Sequence, residues 1–242
     1  MLSDRIDPKG IIFDFDNTLV DTNRVIWEAY DFIFSDIAIK FNVDKNFLFH
    51  ESRVVENEAI RTADISAKSY DHGVWIGTVV NRLNIPVSEE EINAYRNAFY
   101  SYVTDHPRFS MDTESVLKAF KAQGKKLALL SEKDAVDGQK AERINKMKFS
   151  EYFDVIVIAG ETIPFRKVYD GPKAFLETAK FLGLNPDEVV MIGDRLDLDI
   201  QNAKEAGMKA ILFSGFVKPR EKGKYPPDFV VYDIKDLENI ID

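Results

Sequence analysis

Two kinds of segment alternate along the chain. One kind is short, almost continuously apolar and bounded by turn residues: Gly10–Phe15, Lys126–Ser131, Asp154–Ala159, Val189–Gly193, Ala210–Ser214 and Phe229–Tyr232. Apolar runs without polar alternation indicate strands buried on both faces, which form parallel sheets covered by helices. The other kind has helical spacing and readable ends. Thr113–Gln123 stops at Gly124, a pattern over roughly Ala135–Lys148 follows, Pro172–Leu182 opens on proline and stops at Gly183, and Leu198–Ala206 stops at Gly207. This alternation predicts an α/β fold with a Rossmann-like, doubly wound parallel sheet.

One interval departs from the pattern. From Asp21 to His106 there is no buried-strand run; the periodicity predicts helices at Val25–Phe41, Val54–Arg61, Gly73–Asn84 and Glu89–Tyr102. Ser88 and Glu91 have the spacing of a capping box after Pro86. An insert of this length is too large for a loop. It predicts an all-helical cap domain at 21–106, seated above the C-terminal edge of a sheet domain formed by 1–20 and 107–242. Lys218–Pro227 reads as a surface loop rich in Pro, Gly and Lys.

Composition narrows the classes of function. The chain has 242 residues, 45% hydrophobic and 30% charged, the balance of a soluble globular protein able to bury a sizeable core. It has no cysteine, which excludes disulfides, thiolate zinc sites and a cysteine nucleophile and leads us to expect a cytoplasmic protein. The start, MLSDRIDPKG, lacks the form of a signal peptide, and no apolar run is long enough to span a bilayer, so no membrane association is expected. A formal net charge of −9 without a basic stripe argues against a nucleic-acid partner.

Ligand sites in open α/β sheets lie beyond the carboxyl ends of the strands. The polar residues there are Asp14 and Asp16 after the first strand, Ser131 at the end of the second, and Asp194 after Gly193; Lys167 follows the third strand by a loop. Clustered carboxylates repel one another unless a hard cation sits among them, and an oxygen-only ligand set suits Mg²⁺. A carboxylate beside such a cation, a Lys and a Ser can accept a phosphoryl group, with charge on the transferring oxygens neutralised by its neighbours. A second carboxylate two residues on can move the protons. Taken singly, each residue has a plainer reading as a turn, cap or solvated charge, and Asp197 and Asp199 as acidic residues favoured in a helix's first turn. It is their joint placement that points to chemistry.

These residues resemble the haloacid dehalogenase superfamily, in particular its phosphatase branch with a helical cap of the first type. Asp14-Phe15-Asp16-Asn17-Thr18-Leu19 is similar to the first motif, Ser131 after Leu127–Leu130 to the second, Lys167 to the third, and Gly193-Asp194 through Asp199 to the fourth. The resemblance implies Asp14 as nucleophile and Asp16 as general acid/base. It implies Mg²⁺ held by Asp14, Asp194 and the backbone carbonyl of Asp16, with substrate phosphate bound by Ser131, Lys167 and Thr18. Asp199, assisted by Asp197, would orient the metal site. The dehalogenases lack a carboxylate at the place of Asp16, so the resemblance implies hydrolysis of a small phosphorylated metabolite. The alternatives are a phosphomutase of the same superfamily, similar to β-phosphoglucomutase, and a non-catalytic phosphate-binding protein.

The sequence departs from the motifs in two places. Glu132 follows Ser131 where the family often has Asn, and Lys167 is followed by Val168-Tyr169-Asp170-Gly171 before Pro172, an expansion ahead of the usual proline that leaves Lys173 as an alternative to Lys167. In the helical insert, His50, Arg53, Arg61, His72, Trp75 and Arg82 are possible substrate contacts, each with a competing reading as packing or surface charge. The stripe Trp27, Tyr30, Phe34 reads as packing.

Overall fold

A computed structural model of the chain describes residues 5–61, 71–219 and 222–242, apart from the side chains of residues 60 and 61. The first strand, β1 (Gly10–Phe13), leads into four helices, α1 (Thr22–Phe41), α2 (Lys45–Arg61), α3 (His72–Arg82) and α4 (Glu89–Asp105). Then come α5 (Thr113–Ala122), β2 (Lys126–Glu132), α6 (Gln139–Asn145), β3 (Val155–Ala159) and α7 (Lys173–Phe181). The chain continues through β4 (Val189–Gly193), α8 (Gln201–Glu205), β5 (Lys209–Phe213), β6 (Phe229–Val231) and α9 (Leu237–Ile240). Among the described residues, no helix is long and apolar enough to cross a membrane.

The chain parts into two compact units. Met1–Asn23, Arg108–Lys133 and Lys140–Asp242 make one, and Arg24–Pro107 with Asp134–Gln139 make the other.

The first unit is built on a six-stranded, all-parallel sheet in the order β3-β2-β1-β4-β5-β6. Successive side chains of a strand point to opposite faces, and here each set is buried. Ile11, Phe13, Leu127, Leu129, Val190 and Ile192 pack on one face with Val116, Leu117 and Phe120 of α5. Ile12, Ala128, Leu130 and Met191 pack on the other with Ala174, Phe175 and Ala179 of α7 and Ala203 of α8. This two-sided burial, worth about 1.5–3 kcal/mol for each large apolar side chain, is why the strands read as unbroken apolar runs. β1 lies at the centre, with β2 on one side and β4 on the other. Successive connections run to opposite sides from this strand, which opens a crevice at its carboxyl end.

The second unit is helical. Val25, Ala29, Tyr30, Ile33, Phe34 and Ile37 place one face of α1 in its core, joined by Leu48 of α2, Trp75 and Val79 of α3 and Phe99 of α4. Ser88 closes a capping box with Glu91 at the start of α4.

Several boundaries differ from the sequence expectation for identifiable reasons. Helix α2 begins at Lys45, well before Val54, because Asp44 accepts a hydrogen bond from Asn46 N (2.8 Å) and starts it. Its first turns carry an exposed Phe47 beside a buried Leu48, which blurs the helical period. Helix α6 begins at Gln139 rather than Ala135, since Gly138 has φ +79° and interrupts the helix. It ends at Asn145, followed by a separate 3₁₀ turn at Lys148–Tyr152. The pattern at Leu198–Ala206 resolves into a π-helical turn, Leu196–Ile200, running into α8.

Candidate active site

Asp14 is the residue after β1, and its N–H still donates to Ile192 O of β4 (2.9 Å). Beyond it the chain turns back on itself. Leu19 N and Val20 N both donate to Phe15 O (3.0 and 3.1 Å), and Asn17 N donates to Val20 O (2.6 Å). Asn17 takes φ +57°, a left-handed conformation that Asn tolerates better than most residues. Its Oδ1 accepts from Asn23 N (2.8 Å), fastening the turn to the start of α1. The turn brings the buried Thr18 hydroxyl to within 3.4 Å of Asp14 Oδ2. Thr18, expected on substrate phosphate, thus contacts the nucleophile candidate itself.

Lys167, 4% exposed, reaches the same place from the loop after β3. Its Nζ donates to Asp14 Oδ1 at 2.7 Å and lies 2.5 Å from Asp199 Oδ1. Lys173, the alternative in the sequence, lies 3.7 Å from Asp170 with its side chain 60% exposed. Asp199 is fully buried, and its Oδ2 accepts from Arg195 N (3.0 Å). Oδ1 of Asp199 has no hydrogen bond of good geometry among the described residues, only its ion pair with Lys167. Gly193 makes this approach possible: a Cβ there would sit 2.4 Å from Asp199 Cγ.

Asp14, Asp194 and Asp199 each offer an oxygen within 4.8 Å of the others, and all three are buried. Burial, opposed by Lys167 and reinforced by Asp199 and Asp16, pushes the Asp14 carboxyl up to about 7. Burial, together with the charges of Asp14 and Asp199, pushes Asp194 up to about 9. Burial alone would lower the Lys167 ammonium, but Asp14 and Asp199 outweigh it and raise it. Crowded, dehydrated carboxylates with oxygen donors only and one underused acceptor make a set that fits a hard divalent cation. Asp199, expected only to orient such a site, itself presents a ligand atom here.

The sequence model for haloacid dehalogenase-like hydrolases matches residues 11–213, a span that contains every residue of this site. The chain belongs to this family. The glyceraldehyde 3-phosphate phosphatase of Methanopyrus kandleri is 26% identical to this hydrolase over 249 residues, covering 96% of this chain and 97% of the relative. The phosphoglycolate phosphatase of Aquifex aeolicus is 27% identical over 233 residues, covering 96% of each. Among solved structures, the magnesium-bound HAD-hydrolase YfnB of Bacillus subtilis superposes with a TM-score of 0.75 over 97% of this chain and 99% of that one. At 14% identity that likeness speaks for the fold alone.

The remaining site residues of the hydrolase are placed as follows. Asp16 does not join the carboxylate cluster. Its Oδ1 accepts from Thr22 Oγ1 (2.6 Å) and Arg143 Nη2 (2.6 Å), and its Oδ2 pairs with Lys140 Nζ. Burial would raise this carboxyl, but Arg143 and Lys140 outweigh it and hold it well below the usual carboxylate range. Only the backbone carbonyl of Asp16 is therefore left to serve a cation. Ser131 is fully buried in β2, the strand beside β1, with its hydroxyl donating weakly to Glu132 O (3.4 Å). Asp197 turns to Arg195 in a two-pronged ion pair (2.9 and 2.7 Å), outside the cluster.

Lys140 and Arg143 were missed in the sequence. They are three residues apart and share a face of α6, which is the only local signal; nothing in the chain order says that this face meets Asp16. In the helical unit, His72 donates or accepts at Tyr30 OH (2.9 Å) and packs against Phe99 and Trp75, so it serves the core. Arg82 pairs with Glu51 and Glu58, Trp75 is buried, and His50 and Arg53 are exposed, Arg53 lying 5.3 Å over the Trp27 ring. The Arg61 side chain falls outside the described residues.

Proposed function

We propose that this hydrolase is a Mg²⁺-dependent phosphatase that transfers a phosphoryl group from a small phosphomonoester to Asp14 and then to water. The observation that carries the reading is Asp14 itself: a buried carboxylate at the end of the central strand, 2.7 Å from a buried lysine and clustered with Asp194 and Asp199. A carboxylate oxygen of Asp14 attacks phosphorus, and the bond to the leaving oxygen breaks as Asp16 supplies its proton. Water then attacks the phosphoryl group, its proton returns to Asp16, and Asp14 is released. The cation, held by Asp14, Asp194, Asp199 and the Asp16 carbonyl, would supply positive charge against the transferring oxygens. Lys167 adds the positive charge of its own ammonium beside Asp14.

The clamp on Asp16 bears on the two halves of this reaction differently. Paired with Lys140 and Arg143, Asp16 stands ionised, the form needed to activate water. To act as the acid in the first half it must take up a proton, which these cations disfavour. The relatives named for glyceraldehyde 3-phosphate and phosphoglycolate support a substrate with two or three carbons.

Purified protein with Mg²⁺ should hydrolyse an aryl phosphate and at least one member of a panel of small phosphorylated acids and aldehydes, and EDTA should stop it. No turnover across that panel would refute the reading. Asp14→Asn should lower kcat by more than about a thousandfold, and retained turnover would rule out the covalent route.

A further inference from the structure

The two departures of this sequence from the family motifs, Glu132 and the expanded segment ahead of Pro172, are joined through Arg166, which pairs with Glu132 and hydrogen-bonds Asp170. Glu132 ends β2 next to Ser131 and pairs in register with Ala159, the last residue of β3. Its two carboxylate oxygens are divided between neighbours in one loop. Oε1 takes the Arg166 Nε, and Oε2 accepts from the backbone N–H of Lys167 (2.8 Å). On the other side of the same residue, the Lys167 carbonyl accepts from Nδ2 of buried Asn202 (3.0 Å). Both peptide groups of Lys167 are thus pinned.

Arg166 is seated by features of its own. Its N–H donates to Asp170 Oδ2 (2.8 Å), Asp170 N donates back to Arg166 O (2.9 Å), and the guanidinium lies 5.6 Å over the Tyr169 ring. The stem of Arg166 crosses Gly160 so closely that a Cβ there would meet Arg166 Cδ at 2.3 Å. Gly160 also has φ +86°, so the passage is reserved for glycine twice over.

The need for such anchoring is physical. Between Ala159 and Lys173 the chain forms turns and a single bridge at Ile163, with no helix or extended strand to fix it. Lysine has four side-chain torsions, and its Nζ meets Asp14 reliably only if the backbone beneath it is held. An asparagine at position 132 would be shorter by one methylene and uncharged, and so could not both pair with Arg166 and receive the Lys167 N–H.

We propose that Glu132 is a positioning residue that, together with Arg166, fixes the Lys167 backbone so that its ammonium meets a phosphoryl group bound at Asp14. This rests on reading Asp14 and Lys167 as a phosphoryl-transfer site. The test compares Glu132→Ala, Glu132→Gln, Arg166→Met and the Glu132→Ala/Arg166→Met double variant with the wild type. It measures kcat and KM on an aryl phosphate, binding of inorganic phosphate in Mg²⁺ by calorimetry, and the thermal midpoint.

Loss of a group that orients a ligand-binding side chain costs about 10- to 100-fold. Glu132→Ala should weaken phosphate binding and lower kcat on that scale. Glu132→Gln, which keeps an acceptor for the Lys167 N–H, should recover part of the loss. Arg166→Met should add little in the Glu132→Ala background, because the two act through one contact. If Glu132→Ala leaves phosphate binding and kcat within about twofold of wild type, or if its effect simply adds to that of Arg166→Met, the proposal is overturned. If wild type binds phosphate but hydrolyses nothing, the phosphatase reading fails on its own, and the phosphate affinities of the variants still decide this one.

Discussion

Gly193 and Asp199 show how tightly single residues define the site. The missing Cβ at Gly193 is the space that the Asp199 carboxylate occupies. Gly193→Ala should therefore displace Asp199 and cost about 1–3 kcal/mol by overpacking, with a larger loss in Mg²⁺ affinity than in thermal stability. Equal losses in both would mean that only packing is at stake. Lys167→Met should cost about 3–4 kcal/mol of barrier, as for other preorganised charge donors, whereas Lys173→Met, at an exposed side chain paired with Asp170, should leave kcat/KM unchanged. Arg143→Met removes a cation that stabilises ionised Asp16, so the Asp16 carboxyl rises and the acidic limb of the kcat/KM profile moves to higher pH. An unmoved limb would separate Asp16 from that ionisation. At this scale the acidic residues were legible because strand ends are legible. The clamp by Lys140 and Arg143 was not, because it depends on which face of α6 turns inward.

Among the elements, α3 depends on a polar junction that the pattern of apolar positions does not reveal. Asp71 accepts from Gly73 N (2.9 Å) at the start of the helix, pairs with Arg96 of α4 (2.6 Å) and accepts from Tyr100 OH (3.0 Å). Gly73 leaves room for Arg96, since a Cβ there would lie 2.2 Å from its side chain. Burial would raise the Asp71 carboxyl, but Arg96 and the other donors outweigh it and lower it. A carboxyl lower in the folded than in the unfolded state stabilises above the unfolded value of 3.8, and this contribution is lost as pH falls through the folded value. Asp71→Asn should cost the helical unit about 1–3 kcal/mol near neutral pH and flatten its acid unfolding below pH 4. A wild-type acid transition in the variant would contradict this. The buried strands and the stops at Gly124 and Gly183 could be read from sequence, since both glycines take positive φ at helix ends. The starts of α2 and α6 could not, because a capping Asp44 and a left-handed Gly138 outweighed the apolar period there.

For the whole molecule, the buried carboxylate cluster ties stability to pH and to any cation it binds. Asp14 and Asp194 are raised from 3.8 to about 7 and about 9, so the folded metal-free chain binds more protons than the unfolded one across that window. Its stability should fall as pH climbs through it. A cation favours the ionised forms, so Mg²⁺ at one fixed concentration should raise the thermal midpoint more at pH 8.5 than at pH 6; at a hundredfold excess over Kd it stabilises by about 2.7 kcal/mol. A shift independent of pH would place the cation elsewhere.

The central position of β1 has a consequence for how the chain is made. Gly10–Phe13 are synthesised well before their partners, Lys126–Leu129 on one side and Val189–Ile192 on the other. The apolar core of the helical unit, by contrast, draws among the described residues only on those between Val25 and Val103. Local contacts close sooner than distant ones. Nascent chains that have emerged from the ribosome only as far as residue 125 should therefore protect the helical unit from protease while Asp14 still hangs on an unpaired strand. Asp14 is made long before the strands that fix its place.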